Sequence, residues 1–203
     1  MAKGMQFELD VCNAIKKAVN NGDLGLIANA CQVHRHKGYY SRDREKDIIT
    51  DVSVEIYLAN STKPSFIWVW ECKDYGKSIP VDDIEEFHSK LDQIGADNTK
   101  GTVITSRGAF QSSALNYAKA KGIGVARLLP SDQIEWMMHF VTSSMNVNSN
   151  NQVTNTLSAL TNINYIGRNQ NFFGVTSNFD VSNWYSLEDY IRDELNELIV
   201  SWE

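Results

Sequence analysis

The stretch from Ile67 to Lys73, IWVWECK, constrains the chain more than any other. Four large apolar residues in a row leave a strand no polar face, because successive side chains point to opposite sides of a sheet. Such a strand is stable only where both faces are covered, so it belongs in the middle of a sheet with a layer on either side. Its end carries Glu71 and Lys73, two positions apart and hence on one face. A lone charge buried there would cost several kcal/mol. The two residues either pair with each other at the sheet rim or belong to a larger polar site, and spacing alone leaves both readings open.

The preceding segment, TDVSVEIYL, alternates strictly. Val52, Val54, Ile56 and Leu58 fall on one face, and Asp51, Ser53, Glu55 and Tyr57 on the other. The turn ANSTKP joins it to SFIWVWECK, so the pair reads as a β-hairpin with a longer loop. A hairpin runs the start of its first strand beside the end of its second. Asp51 is thereby predicted to meet Glu71, with Lys73 close by. Asp47 fits that place less well, because it precedes the alternating strand. Glu55 lies roughly 13 Å along the strand from Asp51 at ordinary strand rise, and reads as a solvated or outer residue.

The rest of the chain supplies layers for that hairpin. From Gln6 to Asn20, Phe7, Val11, Ile15 and Ala18 recur at helical spacing, and NNGD ends the run. CQVHRH reads as a short strand, and HRHKGYYSRDREK as a loop or strand edge. VDDIEEFHSKLDQIG has Ile84, Phe87, Leu91 and Ile94 on one helical stripe and closes at Gly95. GTVITS is a strand, AFQSSALNYAKAKG a helix ending at Gly122, and IGVARLL another strand. This order describes an α/β layer protein with a mixed sheet and right-handed crossovers. Between Glu135 and Asp180 the only Lys, Arg, Asp or Glu is Arg168, while asparagine is dense. Residues 1–135 therefore read as one domain. Residues 136–203 read as an Asn-rich extension, with a hairpin over NYIGRNQNFFGV and a terminal amphipathic helix over SLEDYIRDELNELIVSW. Ser186 and Asp189 resemble a capping box there, before a stripe of Leu187, Tyr190, Ile191, Leu195 and Leu198.

Two carboxylates and a lysine at one place carry chemistry. Carboxylates are hard oxygen ligands for Mg²⁺, which keeps several waters and accepts a phosphate oxygen. A bound cation acidifies water and offsets charge on a phosphorane. A lysine positions or deprotonates that water, or stabilises the pentavalent anion.

Asp51 followed by ECK after a hairpin, on a helix–hairpin–helix–strand scaffold, resembles the PD-(D/E)xK nuclease superfamily, and within it the Mrr-like restriction endonucleases. The resemblance runs from Met5 to Leu129, with Thr50 standing where the superfamily label has proline. It implies a three-layer restriction-endonuclease-like fold, a central mixed β-sheet flanked by helices. It implies a metal-dependent DNA endonuclease of restriction or defence type, with Asp51 and Glu71 as metal ligands and Lys73 as the catalytic lysine. Mg²⁺ is the expected cofactor, with Mn²⁺ able to substitute, and double-stranded DNA the expected partner. Many members add a carboxylate from the first helix, and Glu8 matches that position. A first-turn glutamate is also favoured by the helix dipole alone. Two strands need two sites, so a homodimer is expected. A resolvase or repair nuclease acting on structured DNA is an alternative, as is a nucleic-acid-binding module without turnover. The intact trio speaks against the last.

The formal net charge of −6 excludes a polycation that coats nucleic acid indiscriminately, so basic groups must act locally. Arg35, Lys37, Arg42, Arg44 and Lys46 cluster before Asp51 with Tyr39 and Tyr40 among them, a pattern suited to guiding a phosphate backbone. Asp43, Glu45 and Asp47 are interspersed, which also suits a plain solvated loop. Lys77, after the motif, and Arg107, at a strand-to-helix turn, are further candidate DNA contacts. A Walker loop, a dinucleotide fingerprint, zinc-finger spacing and a serine elbow are absent. No apolar run approaches the roughly 20 residues of a membrane span. The opening MAKGMQFELDV lacks the pattern of a secretory leader. With three cysteines, an odd number, the expected setting is a reducing cytoplasm.

Overall fold

The computed structural model describes residues 3–20, 30–74, 76–135, 149–168, 170–179, 184 and 186–200. In chain order they form α1 (Lys3–Asn20), β1 (Cys31–Arg35), β2 (Gly38–Ser41), β3 (Lys46–Ile49), β4 (Val52–Ile56), β5 (Phe66–Lys73), α2 (Val81–Gly95) and β6 (Thr99–Thr105). There follow α3 (Ser112–Lys121), β7 (Gly124–Leu128), β8 (Ile134–Glu135), α4 (Ser149–Thr161), β9 (Gly167–Arg168), β10 (Phe172–Val175) and α5 (Leu187–Val200).

Six strands make one mixed sheet in the order β1-β4-β5-β6-β7-β10. β5 lies inside it, antiparallel to β4 and parallel to β6. Phe66, Trp68 and Trp70 point into a core shared with Val11 and Ile15 of α1 and Tyr190 and Ile191 of α5. Ile67 and Val69 point into a second core with Ile84, Phe87 and Leu91 of α2 and Leu115 of α3. A helical layer on each side explains a strand without a polar face. The α/β architecture with a central mixed sheet flanked by helices is the one the sequence predicts.

Two segments differ from expectation. HRHKGYYSRDREK, expected as a loop or a strand edge, holds the end of β1, then β2 and the turn into β3, and β2 and β3 pair as a two-stranded ribbon. His36, with φ of 54°, bends the chain between β1 and β2. At that bend His36 N donates to Asp51 O at 3.1 Å, and Thr50 N donates to Lys37 O at 3.0 Å. The ribbon thus starts at the level of Asp51. Its inner face buries Ile48 and half-buries Tyr39, while Tyr40 and Ile49 stand exposed on the outer face. Dense charge at the tip hid the alternation.

The second difference follows Glu135. Residues 136–148 lie outside the described residues, as do Asn21–Asp23 of the expected helix stop and the side chain of Leu198. Beyond them α4 is a helix, where linker or short strands were expected. Thr156, Ala159 and Leu160 are buried at helical spacing, a signal that asparagine's poor helix propensity obscured. The expected hairpin does not form: β9 pairs with β8 in parallel, and β10 pairs with β7. Arg127, fully buried on β7, donates to the carbonyls of Ala159 and Asn162 at 2.7 Å each and of Arg107 and Ile163 at 3.1 Å each. Carbonyls at the end of α4 thereby find a donor that the helix cannot supply. Burial pulls the Arg127 guanidinium down to about 10, still charged at neutral pH. α5 is capped as predicted, Asp189 N donating to Ser186 Oγ at 3.2 Å. Its Leu187, Tyr190, Ile191 and Leu195 are buried in the α1 core, so the apolar stripe is covered within the chain. Among the described residues no helix is long and apolar enough to cross a membrane.

Candidate active site

β4 and β5 pair with Val52 opposite Trp70. One step further along that register, Asp51 stands across from Glu71. Asp51 Oδ2 accepts a hydrogen bond from Cys72 N at 2.8 Å, which holds the carboxylate against the backbone of β5. Glu71 is 8% exposed, and its Oε1 lies 3.1 Å from Lys73 Nζ. The rim pairing of Glu71 with Lys73 and the larger polar site are therefore both present.

A fourth residue enters from outside the hairpin. Lys90 of α2 places Nζ 3.1 Å from the same Glu71 Oε1, and 3.3 Å from Glu86 one helical turn back. In the sequence Lys90 is one more charge on an amphipathic helix. Nothing in the stretch FHSKL marks it as pointing at β5, because that depends on how closely α2 packs on the sheet.

The electrostatics follow from burial. The Asp51 carboxyl is pushed up to about 6, chiefly by burial and then by the charge of Glu71, with Glu8 adding to this. The Cys72 amide and Lys90 oppose the rise. For Lys90, burial favours the neutral form, but Glu71 and Glu86 outweigh it and the ammonium is held above its ordinary value. Glu8, on α1, reaches the same end of the hairpin, with Oε2 2.7 Å from His36 Nε2.

Of the two readings of Glu55, solvated or outer residue, its burial overturns the solvated one. It is buried, and its Oε2 gathers Lys37 Nζ at 2.6 Å, His34 Nε2 at 2.9 Å and Tyr57 OH at 2.9 Å. The bend that starts the ribbon carries Lys37 onto it, a placement that strand spacing does not reveal. Burial works to raise the Glu55 carboxyl, and these donors outweigh it, leaving the group below its ordinary value.

The basic candidates divide by what already holds them. Lys37 is committed to Glu55. Arg44, at the ribbon tip, donates through Nε to Gln93 of α2 at 2.8 Å. Arg35 is partly buried on β1 with Nη1 lacking a hydrogen-bond partner. Arg42 on the ribbon and Lys77 after β5 are exposed. Arg107 leaves the sheet two residues beyond Thr105, the register partner of Lys73, and pairs with Asp132 at 3.2 Å.

Among the described residues no group of three or more His, Cys, Asp and Glu side chains is placed to hold a metal ion. Asp51 and Glu71 still fit a hard divalent cation, since Mg²⁺ commonly takes one or two carboxylates and keeps several waters. The raised Asp51 carboxyl points the same way: two carboxylates crowd a half-buried place, a situation that a cation relieves.

A family model named Mrr_cat and described as "Restriction endonuclease" matches residues 26–138. No curated protein matches the chain. Among solved structures, the crystal structure of a protein of unknown function, AF1548, is 14% identical with a TM-score of 0.38. That match covers 56% of this chain and 57% of the other.

Proposed function

The chain belongs to the Mrr-type restriction endonuclease family, and on this premise we propose that it is a nuclease that cuts double-stranded DNA with a divalent cation held by Asp51 and Glu71. Mg²⁺ suits the donor set, and Mn²⁺ can take its place. The observation that carries the reading is the meeting of Asp51, Glu71 and Lys73 at one end of the β4–β5 hairpin. The cation, when bound, acidifies water and offsets the charge that builds on the phosphorane.

The chain's own residues do the rest. Asp51, tied through Oδ2 to Cys72 N, keeps its remaining oxygen available as a ligand. Glu71 forms an ion pair with Lys73, Oε1 lying 3.1 Å from Nζ, and so holds that ammonium beside the carboxylates. Lys73 has N–H groups left over to orient the attacking water and to donate to the developing anion. Glu8, oriented by His36, acts as an outer carboxylate. Arg42, Arg44, Lys77 and Arg107, with Arg35 and Lys37, are the groups assigned to contact the DNA backbone. Cutting both strands takes two such sites, which a homodimer supplies, and sedimentation at micromolar concentration reads that state. Three free cysteines support a reducing, cytoplasmic setting.

The test uses purified protein with Mg²⁺ or Mn²⁺ against plasmid, modified phage DNA and branched DNA. Cleavage of plasmid or phage DNA supports a restriction or defence role, whereas a preference for branched DNA favours a resolvase or repair enzyme. Lys73→Ala is expected to abolish cleavage with folding and DNA binding retained, and Asp51→Ala to abolish it through lost metal affinity. Wild-type cleavage by Lys73→Ala, in a preparation free of contaminating nuclease, reduces Glu71 and Lys73 to a rim salt bridge and sinks the reading.

A further inference from the structure

We propose that Lys90 is a second active-site lysine that binds an oxygen of the scissile phosphate, an assignment that rests on the nuclease reading above. Lys73 and Lys90 arrive from different elements, a strand and a helix, yet both contact one oxygen, Glu71 Oε1, at 3.1 Å. Their ammonium groups therefore stand no more than about 6 Å apart, twice that contact distance. A structural link that merely neutralised a buried glutamate would need only one of them.

The charge count says what the second one serves. Asp51 and Glu71 bring two negative charges, and Lys73 and Lys90 two positive ones. These four formal charges sum to zero. A divalent cation adds two positive charges, of which the nearby Glu8 offsets one, while Glu86, 63% exposed on its side chain, contributes little. What completes the site must then be an anion, and a phosphodiester, whose charge doubles in the pentavalent state, is the anion that a nuclease presents there.

Lys90 is also free to make the contact. An ammonium has three N–H donors. Glu71 takes one and Glu86 another. Glu86 is 63% exposed on its side chain, so its ion pair contributes little and exchanges readily for a phosphate oxygen. The Lys90 side chain is only 19% exposed, so a phosphate contact made there is screened less by water than one on the ribbon.

The test is Lys90→Met, which removes the charge and keeps the packed stem, beside Lys90→Arg, which keeps the charge. The readout is affinity for a short mixed-sequence duplex in Ca²⁺ across a salt series, followed by single-turnover cleavage in Mg²⁺. For Lys90→Met the slope of log K against log salt should become shallower by about 0.9, the loss of one phosphate contact on duplex DNA. For Lys90→Arg it should match wild type. A wild-type slope in Lys90→Met overturns the assignment even if cleavage falls, because Lys90 then acts only as a tie between α2 and β5. If Lys90→Met does not fold, a Lys90→Arg slope that differs from wild type by that same amount overturns it, and an unchanged slope supports it. A wild-type protein that neither binds nor cuts duplex DNA overturns the nuclease reading, and this assignment with it.

Discussion

Gly101→Ala is expected to loosen the layer that carries Lys90. Gly101 lies in β6, beneath α2. A Cβ placed there would sit 2.5 Å from both Leu91 Cδ1 and Phe87 Cε1, and 2.7 Å from Phe87 Cζ. Ordinary contact between carbon atoms is about 3.5–4.0 Å, so α2 must retreat by about 1 Å or both side chains must leave their rotamers. Phe87 and Leu91 are 1% and 5% exposed, which leaves neither much room to turn aside. Overpacking of this kind costs about 1–3 kcal/mol. With a urea m-value of about 2 kcal/mol/M, the unfolding midpoint should fall by about 0.5–1.5 M. Lys90 stands between the two obstructed residues, so the same retreat stretches its 3.1 Å contact with Glu71 towards about 4 Å, past hydrogen-bonding range. Cleavage should therefore fall although Gly101 touches no substrate. Gly4→Ala is the control: a Cβ there meets nothing within 4 Å, so the change should be neutral or stabilise the helix by up to about 1 kcal/mol. A Gly101→Ala midpoint within error of wild type would refute the claim that close seating of α2 sets the reach of Lys90.

Three further outcomes are open to measurement. Because the folded Glu55 carboxyl lies below its ordinary value of 4.5, its ionised form stabilises the fold above that pH and this contribution is lost as pH falls through the folded value. Thermal melts of Glu55→Gln should thus lie well below wild type at pH 7 and converge with it in acid, and a gap that persists in acid would contradict the linkage. Arg127→Met should destabilise by at least about 3 kcal/mol, since several buried carbonyls lose their donor; a loss below about 1 kcal/mol in urea unfolding would show that water replaces the guanidinium. Glu8→Ala should give a partial loss of cleavage that is recovered in part at higher Mg²⁺, whereas unchanged kinetics would leave Glu8 a helix-dipole residue only.

Much of this molecule is written in local periodicity. The unbroken apolar run of β5 demanded a covered central strand, and the i, i+3, i+4 stripe of α2 predicts Val81–Gly95 to the residue. The αL conformation of Gly122, φ 61°, ends α3 where the sequence places the stop. The meeting of Asp51 with Glu71 was also legible, because a hairpin's chain direction and two-residue alternation leave little freedom of register. These features depend on neighbours in the chain, and neighbours are what a sequence displays.

The remainder was decided by contacts between residues far apart. Lys90 reaches Glu71 from a helix seated over Gly101, eleven positions later, where a Cβ would meet Phe87 and Leu91. Glu55 is buried among donors because His36 bends the chain into a ribbon and brings Lys37 over it. α4 is anchored at its end by the buried guanidinium of Arg127, from a strand over thirty residues earlier. In each case the outcome turned on a distance between elements, and interlayer distance is set by the volumes of side chains that meet only after the chain has folded.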